Sequence, residues 1–210
     1  MAMSLPDKLL EVIFEEVRDG ILKEIGSRNT WIRVSHICRC WWDVALAYEP
    51  LWSDVRLHHG LTPVGLEFVQ ACYERAPRVN ISIDVFARKV LDAALITDFM
   101  ELVKTHAERI VEFKARDLRR SQQTRGQTVT YGGALDTQPE QFKDLTIICL
   151  ENVRTPWQWP QDLFSTVQEL RLSRHDQGRL PTMTELPDML EACPSLAALT
   201  LSRTSPEFLL

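Results

Sequence analysis

Four six-residue windows in this 210-residue chain share one apolar frame, with positions one, four and six apolar: Ile110-x-x-Phe113-x-Ala115, Leu145-x-x-Ile148-x-Leu150, Val167-x-x-Leu170-x-Leu172 and Leu196-x-x-Leu199-x-Leu201. The alternation at the end of each window is the period of a strand with one face buried. Successive windows begin 35, 22 and 29 residues apart. A strand recurring at such steps predicts a stacked array of repeats, each burying its apolar side against its neighbours. The widest step holds the polar stretch Arg119–Glu140. A short helix-like segment precedes the strands, as at Asp188–Ala192 ahead of Cys193-Pro194.

Two further elements lead into the array. Thr62-Pro63 offers an N-cap followed by Pro at the first helical position, and Leu66, Val69, Cys72 and Tyr73 fall on one side of a helix running to Arg75. Pro77 stops that helix, and Val79–Val85 alternates strictly with β-branched residues on one face. The spacing of Leu91, Leu95, Phe99, Leu102 and Val103 predicts a helix over Lys89–His106.

The frame also assigns directions. Ile148, Leu150, Leu170, Leu172, Leu199 and Leu201 are expected in the core. The intervening positions then form an open face: Asn80, Ser82 and Asp84; Glu112, Lys114 and Arg116; Ile147, Cys149 and Glu151; Glu169, Arg171 and Ser173; Ala198, Thr200 and Ser202. That face is polar and of mixed charge. The chain ends at Leu210 just past the last window without a polar capping repeat, which predicts a fragment or an unusual cap.

The first sixty residues follow a different period. Ser4-Leu5-Pro6-Asp7 has the residue types of a helix start, and Leu9, Leu10, Ile13, Phe14 and Val17 recur at helical spacing opposite Lys8, Glu11, Glu15 and Glu16. Asp19–Thr30, with Gly20 and Gly26, is expected as a loose connection holding at most a turn of helix at Ile21–Ile25. Trp31–Ala47 reads as two short helices jointed at Ile37-Cys38-Arg39, because Val34, Ile37, Trp41 and Val44 keep a helical period. Pro50 ends the run, and Leu51–Leu57 alternates as a short extended segment.

In order, Leu5-Pro6-x-x-Leu9-Leu10-x-x-Ile13-Phe14, Val34-Ser35-x-Ile37-Cys38-Arg39-x-Trp41, Val44-Ala45, and Leu51-Trp52 with Val55-x-Leu57 resemble an F-box over residues 4–57. The gap between Phe14 and Trp31 is longer than in compact F-boxes and lacks the Pro-Glu-Leu start of the second helix; in this the chain is similar to F-box proteins of mushroom-forming fungi. The later windows resemble the strand part of leucine-rich repeats. The fold expected is therefore α+β: a three-helix F-box in residues 1–60, then an irregular leucine-rich-repeat α/β solenoid in 61–210. An unrelated α/β domain whose strands merely contain Leu is the alternative.

The F-box resemblance implies an adaptor that docks on a Skp-type protein, and through it on a cullin, while the repeats hold a protein target for ubiquitin transfer. The adaptor-facing residues it implies are Leu5, Pro6, Leu9, Leu10, Ile13, Phe14, Val34, Ile37, Cys38 and Trp41. Target contacts are expected from Lys114, Arg116, Glu151, Glu169 and Arg171 on the open face, and Arg109–Arg125 holds six basic residues that suit an acidic or phosphorylated group. The other reading is a repeat-based scaffolding protein without ubiquitin transfer.

Chemistry of other kinds finds little support. There is no G-x-S-x-G motif, and Gly132-Gly133 is followed by no phosphate-loop Lys. Five cysteines form no C-x-x-C pair and the histidines show no H-E-x-x-H spacing, so neither a metal nor a cofactor is expected. Cys38-x-Cys40 flanks a Trp and reads as packing. A net charge of -5 argues against nucleic acid as a partner. No apolar run nears the roughly 18–20 residues of a membrane span, and Met1–Asp7 lacks a basic start, so the expected compartment is the cytoplasm or nucleus, with no membrane partner.

Overall fold

A computed structural model of the chain describes residues 5–22, 31–57, 60–87, 93–117, 142–153, 164–173 and 181–202. Six parallel strands among them form one open sheet whose spatial order is the sequence order: β1 (Asp54–Leu57), β2 (Ile81–Ala87), β3 (Ile110–Asp117), β4 (Ile147–Glu151), β5 (Glu169–Ser173) and β6 (Ala198–Ser202). Parallel neighbours need a crossover, and crossovers are almost always right-handed. When every crossover steps the same way along a sheet, all of them fall on one face. Among the described residues the other face is left open for that reason.

Register carries the frame across the whole sheet. Val55, Ile83, Phe113, Ile148, Leu170 and Leu199 form one continuous row, and Leu57, Val85, Ala115, Leu150, Leu172 and Leu201 form the next. From β1 to β5 every member of both rows is buried. Each large side chain so buried stabilises the fold by about 1.5–3 kcal/mol. The core positions expected at Leu199 and Leu201 are a correction: these side chains are 36% and 50% exposed. β6 is an edge strand, and only an element stacked over it bears on whether an inward-facing Leu is covered.

Helices α4 (Pro63–Arg75), α5 (Ala93–Thr105) and α6 (Glu185–Glu191) lie in the connections. The expected start of α4 is present, since the Thr62 hydroxyl oxygen accepts from the Gly65 N–H at 3.0 Å with Pro63 in the first turn. Its end is held by Arg109, which donates to the carbonyls of Tyr73 and Val79 at 3.3 Å and to that of Ala76. Two carbonyls at the helix C-terminus and one in the loop beyond it thus meet one cation. The Arg109 member of the basic run therefore serves packing; Arg119, Arg120 and Arg125 lie outside the described residues.

Before the sheet come α1 (Asp7–Leu22), α2 (Trp31–Ser35) and α3 (Arg39–Ala47). The joint falls at His36–Cys38, where the sequence puts it within a residue. Two expectations differ. α1 continues through Gly20 to Leu22 rather than loosening at Asp19; one helical Gly costs only about 1 kcal/mol. Leu51 and Trp52, expected to open the extended segment, instead close a 3-10 turn over Glu49–Trp52, because Pro50 presets a helical φ at its start. The turn puts Trp52 beneath α3, where its indole N–H donates to the Ala45 carbonyl at 2.9 Å and its ring meets Trp31 edge-on at 4.9 Å. The Ser4 cap, the Ile21–Ile25 turn beyond Leu22 and the start of the Lys89–His106 helix before Ala93 lie outside the described residues.

β1 falls within the expected first segment, 1–60, yet it is the first strand of the sheet. One buried cluster runs from Leu10 and Phe14 through Leu51, Val55 and Tyr73 to Cys193. The helical segment and the sheet share this core.

Candidate functional site

Two surfaces carry the residues singled out in the sequence. The first is helical. Of the expected adaptor-facing set, Leu5, Pro6, Leu9, Ile37 and Cys38 are exposed, with Leu9 at 51% and Ile37 at 62%. Ile13, Val34 and Trp41 are half-buried. Leu10 and Phe14 are fully buried, and this corrects their assignment to a partner surface. Phe14 meets Trp41 edge-on at 5.7 Å and cannot serve two cores. Val12, which the sequence reading left out, is 53% exposed. It stands seven residues after Leu5 and three after Leu9, a spacing that keeps all three on one helical face. The stripe therefore has two sides, one inward through Leu10 and Phe14 and one outward through Leu5, Leu9 and Val12. Nearby polar contacts fix the helices: the Tyr48 hydroxyl donates to Glu15, Arg18 donates to the Pro50 carbonyl at 2.8 Å, and Arg39 pairs with Asp43 at 3.1 Å. The Glu15 carboxylate holds the Tyr48 phenol up at about 12.

The second surface is the sheet's open face, which register arranges in three rows. Asp54, Ser82, Glu112, Ile147, Glu169 and Ala198 form the first; Arg56, Asp84, Lys114, Cys149, Arg171 and Thr200 the second; Phe86, Arg116, Glu151, Ser173 and Ser202 the third. The first row carries carboxylates and the second mostly cations, so each cation reaches back along its own strand. Arg56 pairs with Asp54 at 2.9 Å, Lys114 with Glu112 at 2.7 Å and Arg171 with Glu169 at 2.5 Å. Asp84 is the exception, a carboxylate in the cationic row, and it is paired at 3.1 Å with Arg116 on β3. That guanidinium also lies over the Phe86 ring, 4.8 Å from its centroid.

The structure thus brings Lys114, Arg116, Glu151, Glu169 and Arg171 onto one face. It does not leave Lys114, Arg116 and Arg171 free, as a phosphate site would need; each is already neutralised by a carboxylate. No protein-family model matches the chain, nor does any curated protein or any solved structure. The geometry must therefore speak for itself.

A cleft of about 220 Å³ opens where the end of α1 meets β1–β3 on this face. Arg18 and Asp19 form one wall, and Arg56, Asp84, Glu112 and Lys114 lie across from them. Arg18 is paired with Asp19 at 2.9 Å, so the three cations of the lining are all engaged. Asp84 is not fully engaged. The residue is 8% exposed, Arg116 holds its Oδ2, and its Oδ1 is buried with no hydrogen-bond partner. Burial pushes its carboxyl above the usual range, against the pull of Arg116, Lys114 and Arg56. The alternation of β2 places Asp84 on the outward face but carries no sign of this burial.

Burial damps the chemistry of Cys72, Cys149 and Cys193. Burial pushes the Cys72 thiol up to about 12 and the Cys193 thiol up to about 11, and it raises Cys149 in spite of Lys114 and Arg171 beside it. Thiols held in that state are poor nucleophiles. Among the described residues no three His, Cys, Asp or Glu side chains are grouped so as to hold a metal ion. Among the same residues no helix is long and apolar enough to cross a membrane.

Proposed function

We propose that the chain is a substrate-recognition adaptor of a Skp-cullin-F-box ubiquitin ligase, with α1–α3 docking on the Skp-type protein and the open face of the repeat-like sheet holding the target. The observation that carries this reading is the outward side of α1 together with the α2–α3 joint. Leu5, Leu9, Val12 and Ile37 are 42%, 51%, 53% and 62% exposed, although the core beneath them is complete. Large apolar side chains left outside a filled core favour a partner surface, and they fall within the segment that resembles an F-box. No catalytic group is required of this chain. It acts by proximity, raising the local concentration of a target's lysines near the charged ubiquitin carrier.

Leu9→Asp combined with Ile37→Asp tests the docking half. Neither side chain belongs to the buried cluster, so the double variant keeps the parent's circular dichroism and melting temperature. Truncating an interface hot spot costs about 2 kcal/mol or more, so its affinity for the Skp-type protein falls at least tenfold in a calorimetric titration. Equal affinity in a folded variant ends the proposal. Recovering a cullin with the intact chain, and losing it with the double variant, separates ligase assembly from scaffolding.

A further inference from the structure

The sheet has two edges, and they differ in kind. β1 carries Asp54 and Arg56, and Arg18 and Asp19 of α1 stand beside it. β6, at the other end of the strand order, reads Ala-Leu-Thr-Leu-Ser. Charges, prolines and bulges keep an edge strand from pairing with another chain, and β6 has none of them.

The backbone shows which groups of this edge are left over. The Ala198 N–H donates to the carbonyl of Gln168, just ahead of β5, at 2.9 Å, and the N–H and C=O of alternate residues point to opposite sides of a strand. Ala198, Thr200 and Ser202 therefore bond toward β5, while the N–H and C=O of Leu199 and Leu201 turn to the free edge. The same two residues hold exposed apolar side chains, 36% and 50% accessible, on the side of the sheet where Leu170 and Leu172 are buried.

Whatever covers this edge must bring backbone donors and acceptors at strand spacing and apolar side chains on the core side. A second copy of β6 brings both. With the copies antiparallel about a two-fold axis through Thr200, Leu199 of each lies opposite Leu201 of the other, so the residues with free backbone groups exchange hydrogen bonds. Opposed side chains share a face of the sheet, and the leucines of both copies gather on the core side. On the outer side Thr200 meets Thr200, and a hydroxyl, which both donates and accepts, is complementary to itself. A charge there would meet its own like; the row that holds Arg56, Lys114 and Arg171 on other strands is neutral at β6. Moving the axis to Leu199 would recruit Ala197, whose N–H already goes to Gln168.

We propose that the chain forms a two-fold dimer through β6, two sheets joining edge to edge into one continuous sheet. The interface is isologous and closes on itself. It stands apart from the adaptor reading, because α1–α3 join the sheet at its opposite end. Five residues from each copy make a small interface, so the dimer is reversible, with a Kd of about 1–100 μM.

Sedimentation equilibrium on the full chain reads the association. The mean mass is expected to rise from 24.2 kDa toward twice that value as concentration passes from about 1 to 200 μM. Thr200→Lys and Thr200→Glu each set like charges face to face, and each weakens the dimer by about tenfold or more with the parent's circular dichroism retained. Mixed in equal amounts, the two variants regain a dimer, which native mass spectrometry finds to contain one of each. Thr200→Cys checks the register. Opposed Cα atoms of a non-hydrogen-bonded pair lie about 4.5 Å apart, within reach of a disulfide, so oxidation links two chains. Ala198→Cys, opposite Ser202 of the other copy, gives no more linked dimer than the parent, whose Cys38 is exposed. A mass that stays at 24.2 kDa throughout, as when another segment of the same chain covers β6, overturns the proposal. So does unchanged association in both charged variants, or no recovery when they are mixed. Association that is lost in the Leu9→Asp, Ile37→Asp variant but survives Thr200→Lys would place the contact on the helices, and overturns it too.

Discussion

At the scale of single residues, direction matters more than residue type. Asp84 and Lys114 stand side by side in one row of the open face, yet Lys114 closes on Glu112 while one oxygen of Asp84 is left alone. A pH experiment isolates the consequence. Burial raises the Asp84 pKa above its ordinary 3.8, with Arg116, Lys114 and Arg56 opposing and Asp54 reinforcing. The folded chain therefore binds this proton more readily than the unfolded chain does, and the penalty of the charged form is fully present above the folded pKa. It fades as pH falls toward 3.8. Asp84→Asn is accordingly expected to melt higher than the parent at about pH 7, with the two curves converging below 3.8. A lower melting temperature for the variant at neutral pH would mean that the bond to Arg116 outweighs burial. Phe14 shows the same lesson in the core. Its ring is fully buried against Trp41, so Phe14→Ala should cost about 3–5 kcal/mol in urea unfolding. A loss below 1 kcal/mol would show that the site collapses around the gap.

Elements differ in how plainly the sequence announces them. The start of α4 is legible because its cap is local: Thr62, Pro63 and Gly65 lie within one turn. The strands are legible because the frame repeats. α1 is only half legible, since one apolar stripe gives no sign of which edge turns inward, and Leu9 and Leu10 are adjacent letters with opposite fates. The end of α4 is not legible at all. It depends on Arg109, thirty-three residues beyond Ala76, whose place emerges only when β3 pairs with β2. Hydrogen bonds to a charged donor contribute about 1.5–3 kcal/mol, and several are lost together in Arg109→Ala. A destabilisation of at least 2 kcal/mol is expected, with hydrogen exchange accelerating first at the last turn of α4. Uniform acceleration along the chain would argue that the last turn has no special dependence on this side chain. Asp84 was illegible for the same reason, as its partner Arg116 is thirty-two residues away.

At the scale of the molecule, the sheet is a line rather than a network. Each strand touches the one before it and the one after it, and the helical segment joins at β1. Position along that line should set what a substitution costs. Leu170, fully buried in β5, and Leu199, 36% exposed at the same register position in β6, differ by one strand. Leu170→Ala is expected to cost about 2–5 kcal/mol and Leu199→Ala less than half as much, read from paired denaturant melts. Equal costs would show that the edge is as well packed as the interior.

The same ordering has a consequence in time. A ribosome releases the chain in the order in which the sheet is laid, so each new strand emerges to find its only earlier partner already made. β1 waits on α1–α3, β2 on β1, and so on along the sheet. No strand of the six has to stand unpaired until one beyond its own neighbour is synthesised, so each pairing closes only the connection just made. Growth at the tip is also open-ended: a further strand needs only the edge of β6, and nothing already folded has to be undone to receive it.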